Sequence, residues 1–163
     1  MILALDLSTH TGWAAGPLGG RPSFGTHHLP KTGDDIGRML VAYEDWLRAM
    51  VADVRPTHVF FEAPILSQRT MTARKLMGLA SETERLCHRL GLPVREVNLM
   101  TVKKHFTGFG RAEKARMIEE ARRRGWDVKD DNQADALAIW DFGCTVLCQA
   151  GRMPGAKGPA LVP

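Results

Sequence analysis

An α/β domain built on a mixed five-stranded sheet is the fold class this sequence predicts, and three observations carry the prediction. An apolar run opens the chain at residues 2–7 (ILALDL) and is soon stopped by Ser8, Thr9 and Gly12, as a short buried strand would be. Two more apolar runs, at residues 59–61 (VFF) and 94–97, are each preceded by a stretch of helical periodicity. Strands that first follow one another closely and then alternate with helices imply an antiparallel meander followed by parallel strands, flanked by helices.

In chain order, residues 12–15 resume the apolar pattern, and Gly16-Pro17 with Gly19-Gly20 breaks it. Residues 24–29 complete the meander. Ile36, Met39, Leu40, Tyr43, Leu47 and Met50 recur at spacings of three and four, predicting a helix with Asp34 as its N-cap and an end before Arg55-Pro56. A second helix is expected from about residue 69 to 90, with Leu76, Leu79, Ala80, Leu86 and Leu90 on one stripe, closed by Gly91-Leu92-Pro93. Residues 107–110 (TGFG) read as a loop opening onto a helix at about 111–124 that Gly125 stops, and a last helix runs from near 132 to 148. One domain over residues 1–150 follows. The glycine- and proline-rich residues 151–163 read as a loose tail.

The chain of 163 residues suffices for one full core but not for two comfortable domains. No apolar run is long enough to span a membrane, and the start lacks the basic and cleavable apolar regions of a secretory signal. A cytoplasmic location is expected. Cys87, Cys144 and Cys148 fall in predicted helices without a Cys/His partner set, and read as core thiols of a reducing compartment. The net charge of +4 is concentrated: Lys103, Lys104, Arg111, Lys114, Arg116, Arg122, Arg123, Arg124 and Lys129 face only Glu113, Glu119, Glu120 and Asp127 between residues 103 and 129. Such a stretch suits a partner held by its phosphates, although Arg122 to Arg124 alone read as a solvated helix face.

Three acidic sites punctuate this frame. Asp6 sits inside the first apolar run, where an ionised carboxylate costs several kcal/mol unless it is paired or holds a metal; capping of the next turn is the alternative. Glu62 repeats the pattern at the end of VFFEAP. Two carboxylates leaving adjacent parallel strand ends can meet, because sites in such sheets form at the carboxyl ends of the strands. The third cluster is Asp130-Asp131-Asn132-Gln133-Ala134-Asp135. Helix capping explains Asp130 and Asp131, but not Asp135 inside the apolar ADALAI. Either Asp131 and Asp135 share a helix face, or Asp131 is the cap and Asp135 points from the first full turn. Hard oxygen donors without a His/Cys set point to Mg²⁺ or Mn²⁺. A pair of such ions ~4 Å apart is a clamp for in-line attack on a phosphodiester.

These acidic sites, in this order and on these elements, resemble the RNase H-like nuclease superfamily, and within it the RuvC-type Holliday junction resolvases, in a divergent phage or prophage form. The most specific part of the match is the run Val102-Lys103-Lys104 with Thr107-Gly108-Phe109-Gly110-Arg111-Ala112-Glu113-Lys114, followed by Gln133-Ala134-Asp135-Ala136-Leu137-Ala138-Ile139. The resemblance spans roughly residues 1 to 148. It implies a Mg²⁺-dependent endodeoxyribonuclease (Mn²⁺ substituting, two ions per site) that resolves four-way junctions by paired cleavage. Asp6 would bridge both ions, Glu62 would bind one and Asp135 the other. Lys103 and Lys114 would act at the scissile phosphate, with Lys104 and Arg111 also on the DNA. The family places an acid or a His three residues before the last Asp. Here that position is Asn132, and the neighbouring Asp131 is preferred as fourth ligand. Ile65 and Leu66, just after the second acid, would enter the junction as an apolar wedge or serve as core or dimer contacts. The helix at 69–90 would form a homodimer.

Other readings use the same residues. A broader nuclease cutting flaps, branched DNA or RNA–DNA hybrids needs the same site, and a non-catalytic junction-binding protein is supported only by Asn132. Residues 108–110 lack the longer glycine pattern and GK[ST] of a nucleotide loop, so no nucleotide cofactor is expected. A sugar-kinase-like or actin-like ATPase would need a second domain, and paired acids for glycoside hydrolysis would not need basic surroundings.

Overall fold

In the computed structural model, which describes residues 1–64 and 70–152, strand β1 (Ile2–Asp6) is the centre of the sheet. It pairs antiparallel with β2 (His10–Gly16) and parallel with β4 (His58–Glu62). β3 (Ser23–His28) lies outside β2 and β5 (Val94–Val97) outside β4, giving the order β3-β2-β1-β4-β5. The meander and the two parallel strands stand as the sequence predicts.

β1 is apolar from Ile2 to Leu5 because both of its faces are covered there. Ile2 and Ala4 turn to one side, where they pack with Phe60 against α3 (Leu99–Thr107), α4 (Lys114–Arg123) and α5 (Asp131–Arg152). Leu3 and Leu5 turn to the other, with Val59 and Phe61, against α1 (Ile36–Val54) and α2 (Thr70–Arg89). The two-residue period of the strands thus divides the core into two layers.

α5 lies close along the sheet because small residues let it. Ala134, Ala136 and Ala138 are wholly buried. A Cβ added to Gly12 would sit 2.0 Å from the carbonyl oxygen of Asn132, and one added to Gly143 would sit 2.9 Å from the Phe60 ring. Gly12 is the register partner of Asp6, so the contact that seats the first turn of α5 lies level with that carboxylate.

Several boundaries differ from the sequence reading. Asp35, not Asp34, caps α1, its carboxylate accepting from Arg38 N at 2.9 Å. The helix stops at Val54, ahead of Arg55-Pro56, because the proline disfavours a helical residue before it, and Arg55 takes the left-handed region (φ 50°) as its C-cap. Leu90 lies beyond α2 and is exposed rather than part of the buried stripe, because Gly91 (φ 65°) turns the chain away. α3 was not expected at all, though Asn98 caps it by accepting from Thr101 N, and Val102 and Phe106 form its buried face. α4 begins at Lys114 rather than 111, since residues 108–113 remain a loop. α5 runs past residue 148 to Arg152. Of the three thiols, Cys87 and Cys144 are buried but Cys148 is exposed, so it is not a core thiol. Among the described residues, no helix is long and apolar enough to cross a membrane.

The Gly12 contact yields a stability test. Gly12→Ala forces backbone against backbone and should cost about 1–3 kcal/mol in urea unfolding, as overpacking does. Gly37→Ala, whose Cβ would meet only Asp35 at 3.6 Å, should be neutral or stabilising by up to about 1 kcal/mol.

Candidate active site

Asp6 and Glu62 end the parallel neighbours β1 and β4. Leu5 registers with Phe61, so the next step sets Asp6 beside Glu62 at the ~4.8 Å spacing of adjacent strands. Their parity turns both side chains to the α5 side, where Ile2, Ala4 and Phe60 already point. Asp135 enters from above, one turn into α5, between the wholly buried Ala134 and Ala136. Its Oδ1 is buried and has no hydrogen-bond partner.

The three carboxylates hold their protons abnormally well. Burial pushes Asp6 well above the usual carboxylate range, with the charges of Asp135, Glu62 and Asp131 adding to it and Lys103 opposing. Glu62 is raised to about 7 by burial and then by Asp135, again against Lys103. Asp135 is raised to about 6, chiefly by burial, with Lys103 pulling the other way. Each acid feels another acid and the same lysine, so they share one electrostatic site.

Lys103 reaches this site from α3. Its Nζ donates to the carbonyl of Ala112 at 3.1 Å, which uses one of three N–H donors and fixes the amine at the edge of the acids. Lys114 opens α4 and is ion-paired through Nζ with Asp131 Oδ2. That hydrogen bond is the main reason Asp131 lies below the usual range, so Asp131 is the site's reliably ionised acid.

Asp131 is not the cap of α5. Asp130 is: its Oδ1 accepts from Gln133 N at 2.9 Å and its Oδ2 from the Thr26 hydroxyl at 2.8 Å, while Gln133 Oε1 accepts from Lys129 N at 3.0 Å. This reciprocal capping ties the start of α5 to β3 and leaves Asp131 free for Lys114. Asn132 packs its backbone over Gly12. Lys104 and Arg111 are exposed on α3 and on the loop before α4. Ile65 and Leu66 lie outside the described residues. A cleft of about 820 Å³ is lined by residues that include Phe109, Arg111, Arg116 and Arg123, and by none of the three acids.

Among the described residues, no three His, Cys, Asp or Glu side chains are drawn tightly enough together to enclose an ion. The donor chemistry nevertheless fits a hard cation. The set is all oxygen, Asp135 Oδ1 lacks a partner, and a positive charge would offset the burial and the neighbouring negative charge that raise all three acids. Sequence reasoning missed the Asp130–Thr26 bond and the role of the Ala112 carbonyl. The D-x-x-Q spacing foreshadows the cap on Gln133 N but not the tertiary bond to Thr26; the Ala112 carbonyl had no signal, being a backbone atom of a loop.

The raised acids make stability depend on pH. Glu62 stays protonated to about 7 in the folded chain, whereas an unfolded carboxylate releases its proton near 4.5. The folded state therefore holds the extra proton between those values, and the metal-free protein loses this stability as pH rises through the window. His27 and His58, lowered by burial, act in the opposite sense. Comparing Glu62→Gln with the parent in EDTA cancels the histidines. The variant should match the parent at pH 4.5 and exceed it by about 1–2 kcal/mol at pH 7.5, one pKa unit being about 1.4 kcal/mol.

No family model matches the chain. Individual relatives do. The crossover junction endodeoxyribonuclease RuvC of Heliobacterium modesticaldum is 30% identical over 120 residues, 72% of this chain and 74% of that protein. That of Streptomyces coelicolor is 34% identical over 126 residues, 74% of this chain and 62% of that protein. The solved structure of Thermus thermophilus RuvC covers 91% of this chain and 96% of its own, with a TM-score of 0.69 at 20% identity. T. thermophilus RuvC in complex with Holliday junction substrate gives 0.67 at 21%, covering 85% of this chain and 88% of its own. The structural likeness makes the fold RNase H-like, and the sequence likeness places the chain in the RuvC family of crossover junction endodeoxyribonucleases.

Proposed function

We propose that this protein is a metal-dependent endonuclease that resolves four-way DNA junctions by phosphodiester hydrolysis. The observation that carries the proposal is the convergence of Asp6, Glu62 and Asp135 on one partly buried acidic site that shares the charge of Lys103. Membership of a family whose curated members are named crossover junction endodeoxyribonucleases supplies the substrate.

Asp6, Glu62 and Asp135, with Asp131 as fourth ligand, would hold Mg²⁺ or Mn²⁺, two ions per site. Bound there, the ions would lower the pKa of the attacking water and stabilise the departing 3′-oxygen. Asp6, which feels the charges of both Asp135 and Glu62, would serve both ions. Asp131 is preferred to Asn132 because Lys114 keeps it ionised. Lys103, anchored on Ala112, has two N–H donors left for the scissile phosphate, where they would stabilise charge that grows in the transition state. Lys114 can release Asp131 and turn to the phosphate. Lys104 and Arg111 would bind neighbouring phosphates, which costs nothing in specificity because a junction is read by shape.

Paired cleavage needs two sites related by a two-fold axis. Val41 on α1 and Met77 on α2 are exposed apolar side chains on the side of the sheet away from α5, and a homodimer through these helices would leave both sites open. Ile65 and Leu66, which follow Glu62 closely in sequence, would separate bases at the crossover.

An end-labelled synthetic four-way junction, a matched duplex, a flap and an RNA–DNA hybrid test the proposal in Mg²⁺ and in Mn²⁺. Paired symmetric nicks confined to the junction are expected. Asp6→Asn and Asp135→Asn should lower them by on the order of 10²–10³-fold or more, the loss seen when one transition-state stabiliser is removed. Asp131→Asn should be far more damaging than Asn132→Ala. Equal cutting of flap or hybrid would replace the resolvase with a broader nuclease; tight junction binding without cutting would leave a binding protein.

A further inference from the structure

Two histidines stand at the acidic end of the sheet and take no part in the proposed hydrolysis. His10 begins β2 and His28 ends β3, and they are register partners. The next pair outward is hydrogen-bonded, Leu29 N donating to Thr9 O at 2.9 Å. Antiparallel pairs alternate, so His10 and His28 form a non-hydrogen-bonded pair, the kind whose Cα atoms approach to about 4.5 Å and whose side chains lie closest. His10 N accordingly donates to Ser8 Oγ at 3.0 Å. The two rings are 4.8 Å apart, centroid to centroid. Both residues are exposed, so each ring can turn about its side-chain bonds.

We propose that His10 and His28 form a second metal site, for a borderline transition-metal ion such as Ni²⁺, Cu²⁺ or Zn²⁺, separate from the carboxylate site. Two imidazoles on one face, held by a strand pair, are a chelate whose ordering the sheet has already supplied. Imidazole nitrogen selects this class of ion over Mg²⁺, which prefers carboxylate and water oxygen. Two protein ligands leave the remaining positions to water. His27 does not join them, because it alternates to the other face, where it stacks on Trp46 at 4.5 Å. His105 is occupied by Asp141 at 3.0 Å. The inference does not depend on the proposed nuclease activity.

Titrating Ni²⁺ into the full chain in excess Mg²⁺, followed by the histidine ring signals in NMR, tests it. The signals of His10 and His28 should broaden first and together, ahead of His58, His88 and His105. His10→Ala and His28→Phe, each checked for an unchanged fold by circular dichroism, should each weaken binding by about 10–100-fold, the loss carried even by outer-shell partners of a metal site. Asp6→Asn should leave it unchanged. Binding that survives either histidine substitution, or that falls with Asp6→Asn, would overturn the site.

Discussion

The cost of withdrawing carboxylates from water and setting them beside one another is the constraint on which the rest of this structure depends. Burial raises the cost of ionising Asp6, Glu62 and Asp135, and a neighbouring carboxylate adds to it in each case. Nothing about their own chemistry would bring them together. They are brought together by apolar packing: β1 and β4 pair in register, and α5 is pressed onto them through its alanines and the bare backbone of Gly12. Functional sites commonly hold such unfavourable arrangements at the expense of stability. Here the hydrophobic layers on both faces of β1 supply the offset.

Positive charge is delivered to this site by two routes of different stiffness. Lys103 projects from a capped helix and is pinned by a backbone carbonyl, so its charge is a fixed part of the site. Lys114 is exposed at the start of α4 and is held only by Asp131. A fixed lysine suits stabilisation of the reaction, and an exchangeable one suits capture of a phosphate. Both come from the stretch between residues 99 and 114, which makes that segment as much a part of the site as the acids.

Much of this was legible in the sequence, for physical reasons that can be named. A strand buried on both faces must be apolar throughout, so a carboxylate within it, as at Asp6, stands out. The same holds for Asp135 in an alanine-rich buried helix. The parallel pairing of β1 with β4 followed from the helix between them. What escaped was set by local competition. α3 was hidden because its nine residues offer only two buried positions, Val102 and Phe106. At the start of α5, Asp130, Asp131 and Asn132 are all good caps, and only the tertiary bond from Thr26 decides in favour of Asp130. The close approach at Gly12 was unreadable because a glycine after a threonine suggests a turn as readily as a contact.

The most direct measurement is the anomalous scattering of Mn²⁺ soaked into crystals of the protein. The account predicts density bounded by Asp6, Glu62 and Asp135, with Asp135 Oδ1 a ligand and Asp131 drawn away from Lys114 toward the metal. Manganese that ignores Asp6, or binds elsewhere while Asp135 Oδ1 stays without a partner, would contradict it.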